Sequence, residues 1–178
     1  IAVDSSGRRF CNESNSYHDV AQEMIRQGID GVEKRAFFLA DHRAVRKYGL
    51  GAARPFPLPL RPHLRSGYLT RAQTLGDLAA RLGLPSQALS DELEQFNRCA
   101  ASGSDPKFRR GESAYNAFQG DYEHKPNPCL APLATPPFYA VEIHAGDFGP
   151  FIGLRINPDA QVLDAEGRAI PRLYAAGN

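Results

Sequence analysis

The chain has 178 residues, of which 42% are hydrophobic, so it is long enough to bury a core and too apolar to be disordered throughout. Its 21 lysines and arginines balance 20 aspartates and glutamates, and the net charge of +1 argues against nucleic acid or an anionic membrane as a partner. The apolar runs are too short to span a bilayer. Three widely spaced cysteines, with no C-x-x-C pair, favour a reducing, cytoplasmic compartment.

Hydrophobic periodicity and turn residues predict the elements up to residue 101. Strands are predicted at residues 1–4, 8–10, 35–40 and 68–72. Helices are predicted at residues 17–27, which Gly28 stops, and at residues 41–47, between a capping Asp41 and Gly49. A helical hairpin follows: Thr74 caps its first helix, Gly83 ends that helix, and the second helix runs from residue 85 or 86 to near residue 101. Four prolines make residues 52–62 an ordered loop or an extended lid.

The remainder of the chain has a different composition. Residues 102–137 are rich in proline and are predicted to be a long irregular segment. Strands are then predicted at residues 138–144, 154–156, 161–163 and 173–176, with a turn at residues 164–167. The content changes from mixed helix and strand to mostly strand near Pro137, so the predicted fold class is α+β.

The motifs of common catalytic sites do not occur. The five histidines are scattered without metal-ligand spacing, and G-x-S-x-G and a complete G-x-G-x-x-G are missing. Two side chains in the segment 7–17 invite a chemical role. Tyr17 is either a packing residue or a general base, and a base would need nearby cations or hydrogen-bond donors such as Arg8, Arg9 or His18. Glu13 is either an ion-pair partner of Arg8 or Arg9, or a member of a proton relay.

Residues 7–17, Gly-Arg-Arg-Phe-Cys-Asn-Glu-Ser-Asn-Ser-Tyr, resemble the Gly-x-Arg-Phe-x-Asn-Glu signature of the fumarate reductase/succinate dehydrogenase flavoprotein superfamily. The tyrosine four residues after the glutamate is closer to the 3-ketosteroid dehydrogenase branch. Three further stretches are similar to the same family in the same order. They are the helical hairpin that ends in Phe96-Asn97, the segment from Arg110-Gly-Glu-Ser-Ala-Tyr115 to Lys125-Pro-Asn-Pro128, and residues 136–149 with Gly153-Leu154 and residues 173–178.

The resemblance implies an organisation in two parts. In that family an FAD-binding Rossmann-type domain is interrupted by a substrate-capping domain. Residues 1–142 would be the mixed helix and strand capping (catalytic) domain, and residues 143–178 would be returning β-strands of an incomplete FAD-binding domain. The chain would then be a fragment whose partners are the N- and C-terminal parts of its own FAD domain. Alone it is expected to be inactive and to bind FAD poorly.

The resemblance also implies a chemistry, the dehydrogenation of a CH–CH bond next to a ketone of a small apolar, steroid-like substrate. Tyr17 would accept the proton with help from Glu13, and FAD would take the hydride at N5. The implied cofactor-binding residues are Gly149, Gly153, Gly177 and Asn178. Two alternatives stay open: a flavin-dependent reductase of an unsaturated acid, although fumarate reductases carry a histidine where Gly149 falls, and a non-catalytic binding domain. Ile152 also departs from the glycine of the ketosteroid branch.

Overall fold

The computed structural model describes residues 1–146 and 153–177, which divide into two compact units, Ile1–Ala145 and Gly146–Asn178. The helices of the first unit are α1 (Tyr17–Arg26), α2 (His42–Tyr48), α3 (Arg61–Arg65), α4 (Leu75–Leu82), α5 (Ser86–Ser102) and α6 (Ala114–Gln119). Its strands are β1 (Ala2–Asp4), β2 (Ala36–Ala40), β3 (Thr70–Ala72) and β4 (Phe138–Ile143). The mixed helix and strand content predicted from the sequence is confirmed.

The four strands form one antiparallel sheet in the order β1-β2-β4-β3. The central strand β2 is apolar along its length, and β4 is buried from Phe138 to Val141, as expected for strands that are covered on both faces. Successive side chains of a strand point to opposite faces, so Phe37 and Leu39 enter one core whereas Phe38 faces another. The register pairs Phe38 with Val141, which aligns the apolar parts of β2 and β4.

The α4–α5 hairpin covers one face of the sheet, as its periodicity predicts. The Thr74 hydroxyl accepts a hydrogen bond from the Asp77 amide at 3.0 Å, and Gly83 ends α4 in the left-handed conformation. These two caps satisfy backbone groups that a helix leaves unpaired at its ends. Leu89 and Leu93 of α5 then bury their side chains against the sheet core.

The opposite face carries two smaller apolar clusters. In the first, Met24 of α1 packs with Phe10 and Cys11, and burial raises the pKa of the Cys11 thiol to about 12. In the second, Val45 of α2 packs against Tyr139 of β4. The sheet therefore contributes to all three apolar clusters of the first unit, and Phe10 and Cys11, which precede α1, pack on one face of it.

Three predicted elements differ in the structure, and two short helices were not predicted. Residues 8–10 form only a single bridge, Val3 to Arg9. Helix α3 (Arg61–Arg65) begins at the end of the predicted loop 52–62, with Pro62 in its first turn, where a proline is tolerated. Within the proline-rich segment 102–137, Ser113 caps the short helix α6, which was not predicted. Residues 154–156 likewise contribute only a bridge from Ile156 to Val162. The last strand is Ala169–Tyr174, earlier than predicted, and it includes Pro171.

The second unit contains an antiparallel ribbon of β5 (Gln161–Leu163) and β6 (Ala169–Tyr174). The turn between the strands is held by Asp164, whose carboxylate accepts hydrogen bonds from the backbone amides of Glu166 and Arg168. Across residues 1–146 and 153–177, no helix is both long and apolar enough to cross a bilayer.

Candidate active site: the loop that leads into helix α1

Gly7 makes the turn at which the Gly-Arg-Arg-Phe segment begins. Its φ of +76° lies in the left-handed region, which glycine enters without steric cost. The turn also lies close to helix α5, since a Cβ placed on Gly7 would lie 3.1 Å from the Leu89 amide nitrogen. The glycine of the signature is therefore explained by two structural needs, the turn itself and the close approach of α5.

Arg9 lies at the centre of a buried ion-pair cluster. Its guanidinium donates two hydrogen bonds to Glu13, at 2.9 and 2.7 Å, and two to Asp105, at 3.1 and 2.8 Å. The rings of Phe96 and Phe108 lie 5.0 and 4.9 Å from the guanidinium carbon, within the range of cation–π attraction. Burial disfavours the charged form of Arg9, but the hydrogen bonds to Glu13 and Asp105 outweigh it and raise the arginine pKa.

Glu13 is the acceptor that joins this cluster to the sheet. Besides Arg9, its carboxylate accepts hydrogen bonds from the Ala2 amide at 2.9 Å and from Arg110 at 3.2 Å. Burial by itself raises the pKa of Glu13, whereas the hydrogen bonds from Arg9 and the charge of Arg110 together hold that pKa at about 2. Each oxygen of this carboxylate thus accepts two hydrogen bonds, and the group stays ionised at neutral pH.

The contacts of Glu13 bear on the two roles considered from the sequence. The ion pair with Arg9 is present, at 2.7 Å. A carboxylate with a pKa of about 2 is a weak proton acceptor at neutral pH, because general bases act best when their pKa lies near the working pH. The geometry favours a role for Glu13 in holding the loop, and its role in a proton relay stays a prediction.

Tyr17 is the first residue of α1 and is 50% exposed. The helix start is capped by Ser16, whose hydroxyl accepts a hydrogen bond from the Asp19 amide at 3.2 Å. The Val20 amide bonds the Ser16 carbonyl at 3.1 Å and closes the first turn. The phenol is therefore carried by a capped helix end and is accessible to a molecule outside the unit.

Asn116 is a site residue that the sequence did not indicate. It is fully buried on α6, and its side-chain amide forms hydrogen bonds with Asn12, Ser14, Asn15 and Gly111. The signal available in the sequence was weak, since Ser113 three residues earlier is a capping residue but the surrounding prolines favour irregular structure.

The residues predicted to bind the cofactor belong to the second unit. Gly153 is exposed, and Gly177 has a φ of +93°; among residues 1–146 and 153–177, no atom lies within 4 Å of the place where a Cβ of Gly177 would be. Gly149 and Asn178 lie outside the described residues. Glu13 thus lies in the loop before α1 and Tyr17 at the first residue of α1, whereas Gly153 and Gly177 are found in the other unit.

A cavity of about 340 Å³ lies beside this loop in the first unit. Phe38, Ala44 and Leu50 supply apolar lining, and Glu13 and Arg110 supply polar groups. Tyr17 is not one of the described residues that line this cavity. In the same part of the chain, no three His, Cys, Asp or Glu side chains are grouped so that they could hold a metal ion.

Comparison with known proteins gives the family. The model of the family described as "FAD binding domain" matches residues 1–178. The 4-oxocyclohex-2-ene-1-carboxylate 5-dehydrogenase of Sinomonas cyclohexanicum is 44% identical over 177 residues, 99% of this chain and 30% of that protein. The 3-oxosteroid 1-dehydrogenase of Mycobacterium tuberculosis is 37% identical over 183 residues, 100% of this chain and 32% of that protein.

A solved structure gives the same result. The 3-ketosteroid delta1-dehydrogenase from Sterolibacterium denitrificans, in complex with 1,4-androstadiene-3,17-dione, matches with a TM-score of 0.87 and 33% identity, over 98% of this chain and 32% of that chain. The chain thus spans about a third of the length of the relatives it matches. The resemblance drawn from the sequence is confirmed, and the chain belongs to the FAD binding domain family of flavoproteins.

Proposed function

We propose that this chain is part of a longer FAD-dependent dehydrogenase that introduces a carbon–carbon double bond next to the ketone of a six-membered ring. The relatives support the substrate class, because the cyclohexene-carboxylate and steroid dehydrogenases are both named for substrates with an oxo group on such a ring. The observation that carries the proposal is Tyr17, a half-exposed phenol on a capped helix that follows a tightly bonded loop.

Within this proposal Tyr17 is the proton acceptor. A ketone acidifies the neighbouring C–H bond. The Tyr17 oxygen, acting as the phenolate, takes that proton while the adjacent carbon gives up hydride, so that the C–C bond becomes a double bond. FAD, when bound, supplies the acceptor for the hydride. Arg9 and Glu13 hold the loop before α1 through their ion pair, so that the phenol is presented in one orientation.

The same proposal assigns the two units. Residues 1–142 are the substrate-capping part, and residues 143–178 return to the FAD domain with Gly149, Gly153, Gly177 and Asn178 against the flavin. Gly177 has a φ of +93°, a conformation that glycine adopts without steric cost, and a glycine backbone allows a planar cofactor to approach closely.

The second unit also has the surface of an incomplete domain. A two-stranded ribbon is marginally stable by itself, and all six residues of β6 are exposed. Its exposed apolar side chains include Leu154, Leu173 and Tyr174. We propose that the rest of the FAD domain of the same protein covers them, and that residues 1–178 alone bind no flavin tightly and are inactive.

The test uses the complete protein that contains this chain. Under anaerobic conditions, loss of the yellow flavin absorbance is recorded with a panel of oxosteroids, oxocyclohexane carboxylates and dicarboxylates. We expect bleaching by cyclic ketones, and the panel decides between the steroid and the single ring. Bleaching by none of the ketones, or oxidation of the reduced flavin by fumarate alone, would contradict the proposal.

Tyr17→Phe tests the base in the same protein. We expect turnover to fall by about 10²–10⁴-fold with flavin content unchanged, as for the loss of a general base. Tyr68→Phe is the matched control, since the Tyr68 hydroxyl accepts a local hydrogen bond from the Ala52 amide at 2.8 Å and has no assigned chemistry. Near-normal turnover in Tyr17→Phe would remove Tyr17 from the mechanism.

A further inference from the structure

We propose that Asn116 is a positioning residue for Tyr17, an inference that rests on the proposed function of Tyr17 as the proton acceptor. Asn116 belongs to helix α6, far along the chain from the loop 12–16, and its side chain bonds the two residues that precede the helix cap Ser16. Through them it sets where helix α1 begins, and so where its first residue stands.

The side chain of Asn116 has a single possible arrangement. It is fully buried and uses its complete hydrogen-bonding capacity, two donors and two acceptor positions. Its Oδ1 accepts from Asn12 Nδ2 at 3.0 Å and from the Gly111 amide at 3.1 Å. Its Nδ2 donates to the Ser14 carbonyl at 2.9 Å and to Asn15 Oδ1 at 3.0 Å. A rotation of the amide would break all four bonds.

The backbone of Asn116 is held as well. Its amide donates to the hydroxyl of the α6 cap Ser113 at 3.0 Å, and its carbonyl accepts from the Cys129 thiol at 3.0 Å. The amide group therefore projects from a support that is bonded on both sides. This meets the requirement for a positioning residue, whose own conformation must be fixed before it can fix another.

The path from Asn116 to the phenol is short. Ser14 and Asn15 lead directly into Ser16, whose carbonyl and hydroxyl close the first turn of α1. Glu13, at the other end of this stretch, is already held by Arg9. Without Asn116 the loop would stay attached at Glu13 and at the Ser14 hydroxyl, which accepts a hydrogen bond from Arg110 at 3.0 Å. The Ser14 carbonyl and the Asn15 side chain, which lie next to the helix start, would lose the partner that Asn116 gives them. A shift of about 1 Å in a reacting group can lower a rate by about 10²-fold.

A purely structural asparagine is available for comparison. Asn127 is also buried, and its side chain makes three hydrogen bonds, to the Gly103 carbonyl at 3.0 Å, the Arg110 carbonyl at 3.2 Å and the Cys129 amide at 2.9 Å. These three partners lie at residues 103–129. Asn127→Ala therefore removes buried hydrogen bonds next to Arg110, whose own side chain donates to Ser14 Oγ, but it removes none of the hydrogen bonds that Asn116 makes to residues 12–15.

The experiment measures single-turnover flavin reduction by the ketone substrate in the complete protein, since this method records chemistry apart from product release, even for slow variants. For Asn116→Ala we expect the limiting rate to fall by about 10–100-fold, with substrate affinity and flavin content little changed. For Asn127→Ala we expect reduced stability with a near-normal rate. Asn15→Ala removes only the hydrogen bond between Asn116 and the exposed side chain of Asn15, so we expect it to fold normally. It should also lower the limiting rate, but by less than Asn116→Ala does.

A double-mutant cycle separates positioning from a general structural effect. In Tyr17→Phe, which lacks the base, adding Asn116→Ala should cause little further loss, because a residue that acts through Tyr17 has nothing left to position. The inference is overturned if the fold-losses in rate of Tyr17→Phe and Asn116→Ala multiply in the double variant. It is also overturned if Asn127→Ala slows flavin reduction as much as Asn116→Ala does, or if both Asn116→Ala and Asn15→Ala react at the normal rate. Normal turnover in Tyr17→Phe alone would instead refute the proposed function.

Discussion

Substitution of Arg9 by methionine should lower the free energy of unfolding far more than the loss of an exposed ion pair with the same nitrogen–oxygen distance. Arg9 and Asp105 are side chains with 2% and 1% exposure, and Arg9 also binds the buried Glu13. Methionine keeps the apolar contact with the rings of Phe96 and Phe108 but leaves Asp105 without its bidentate partner. Breaking a buried ion pair on one side costs about 3–5 kcal/mol, because the remaining charge stays buried and unpaired.

Arg109→Met is the matched control for this prediction. Arg109 and Glu112 lie 2.7 Å apart, the same distance as Arg9 and Glu13, but their side chains are 78% and 44% exposed. Exposed pairs contribute about 0–1 kcal/mol, since water solvates both charges when the pair is broken. The difference between the two variants therefore measures the effect of burial, together with the second carboxylate that Arg9 binds.

The assay is urea denaturation of the 178-residue chain, followed by circular dichroism. With a slope of about 2 kcal/mol/M, the loss in Arg9→Met is a fall of about 2 M in the unfolding midpoint. The double variant Arg9→Met/Asp105→Leu should recover part of the loss, because the stranded carboxylate is gone. Equal losses in Arg9→Met and Arg109→Met would refute the reasoning that burial decides the strength of this cluster.

Two more predictions concern pH and a tight turn. The pKa of Glu13 falls from 4.5 to about 2 on folding, so the Glu13 carboxylate contributes about 3 kcal/mol to the free energy of unfolding. This contribution is complete above pH 4.5 and is lost as the pH falls toward 2. Glu13→Gln should therefore flatten the dependence of stability on pH over that range, and an unchanged dependence would refute the assignment. Gly111→Ala should lower the free energy of unfolding clearly more than Gly28→Ala in the same urea assay. Both glycines have a positive φ, but a Cβ on Gly111 would overlap the Asn127 side-chain amide, whereas among the described residues no atom lies within 4 Å of a Cβ on Gly28. Equal losses would show that strain alone matters.

The local elements were accessible from the sequence. Asp41 accepts a hydrogen bond from the Ala44 amide at 2.8 Å, as a helix cap does, and helix α1 begins at the predicted residue. Caps and apolar periodicity act within one or two turns of chain, so neighbouring residues contain the information. Helix α6 was missed because the prolines around it outweigh the single capping signal of Ser113.

The roles of the signature residues were not accessible in the same way. The sequence offered Arg8 and Arg9 equally as partners of Glu13, and nothing in it pointed to Asp105, which lies 96 residues from Arg9. The contacts of Asn116 with Ser14 and Asn15 likewise span more than 100 residues. Such pairs depend on the path of the whole chain, which periodicity does not describe.

By itself the sequence determined the family, the class of fold and most helix boundaries, because these depend on residue types at short, regular spacings. Only the tertiary structure decided that Arg9, Glu13 and Asp105 form one buried cluster and that Tyr17 stays half exposed at the start of α1. The physical reason is burial, which converts the same charges from solvated surface groups into partners that must be paired. Burial is a property of the assembled chain.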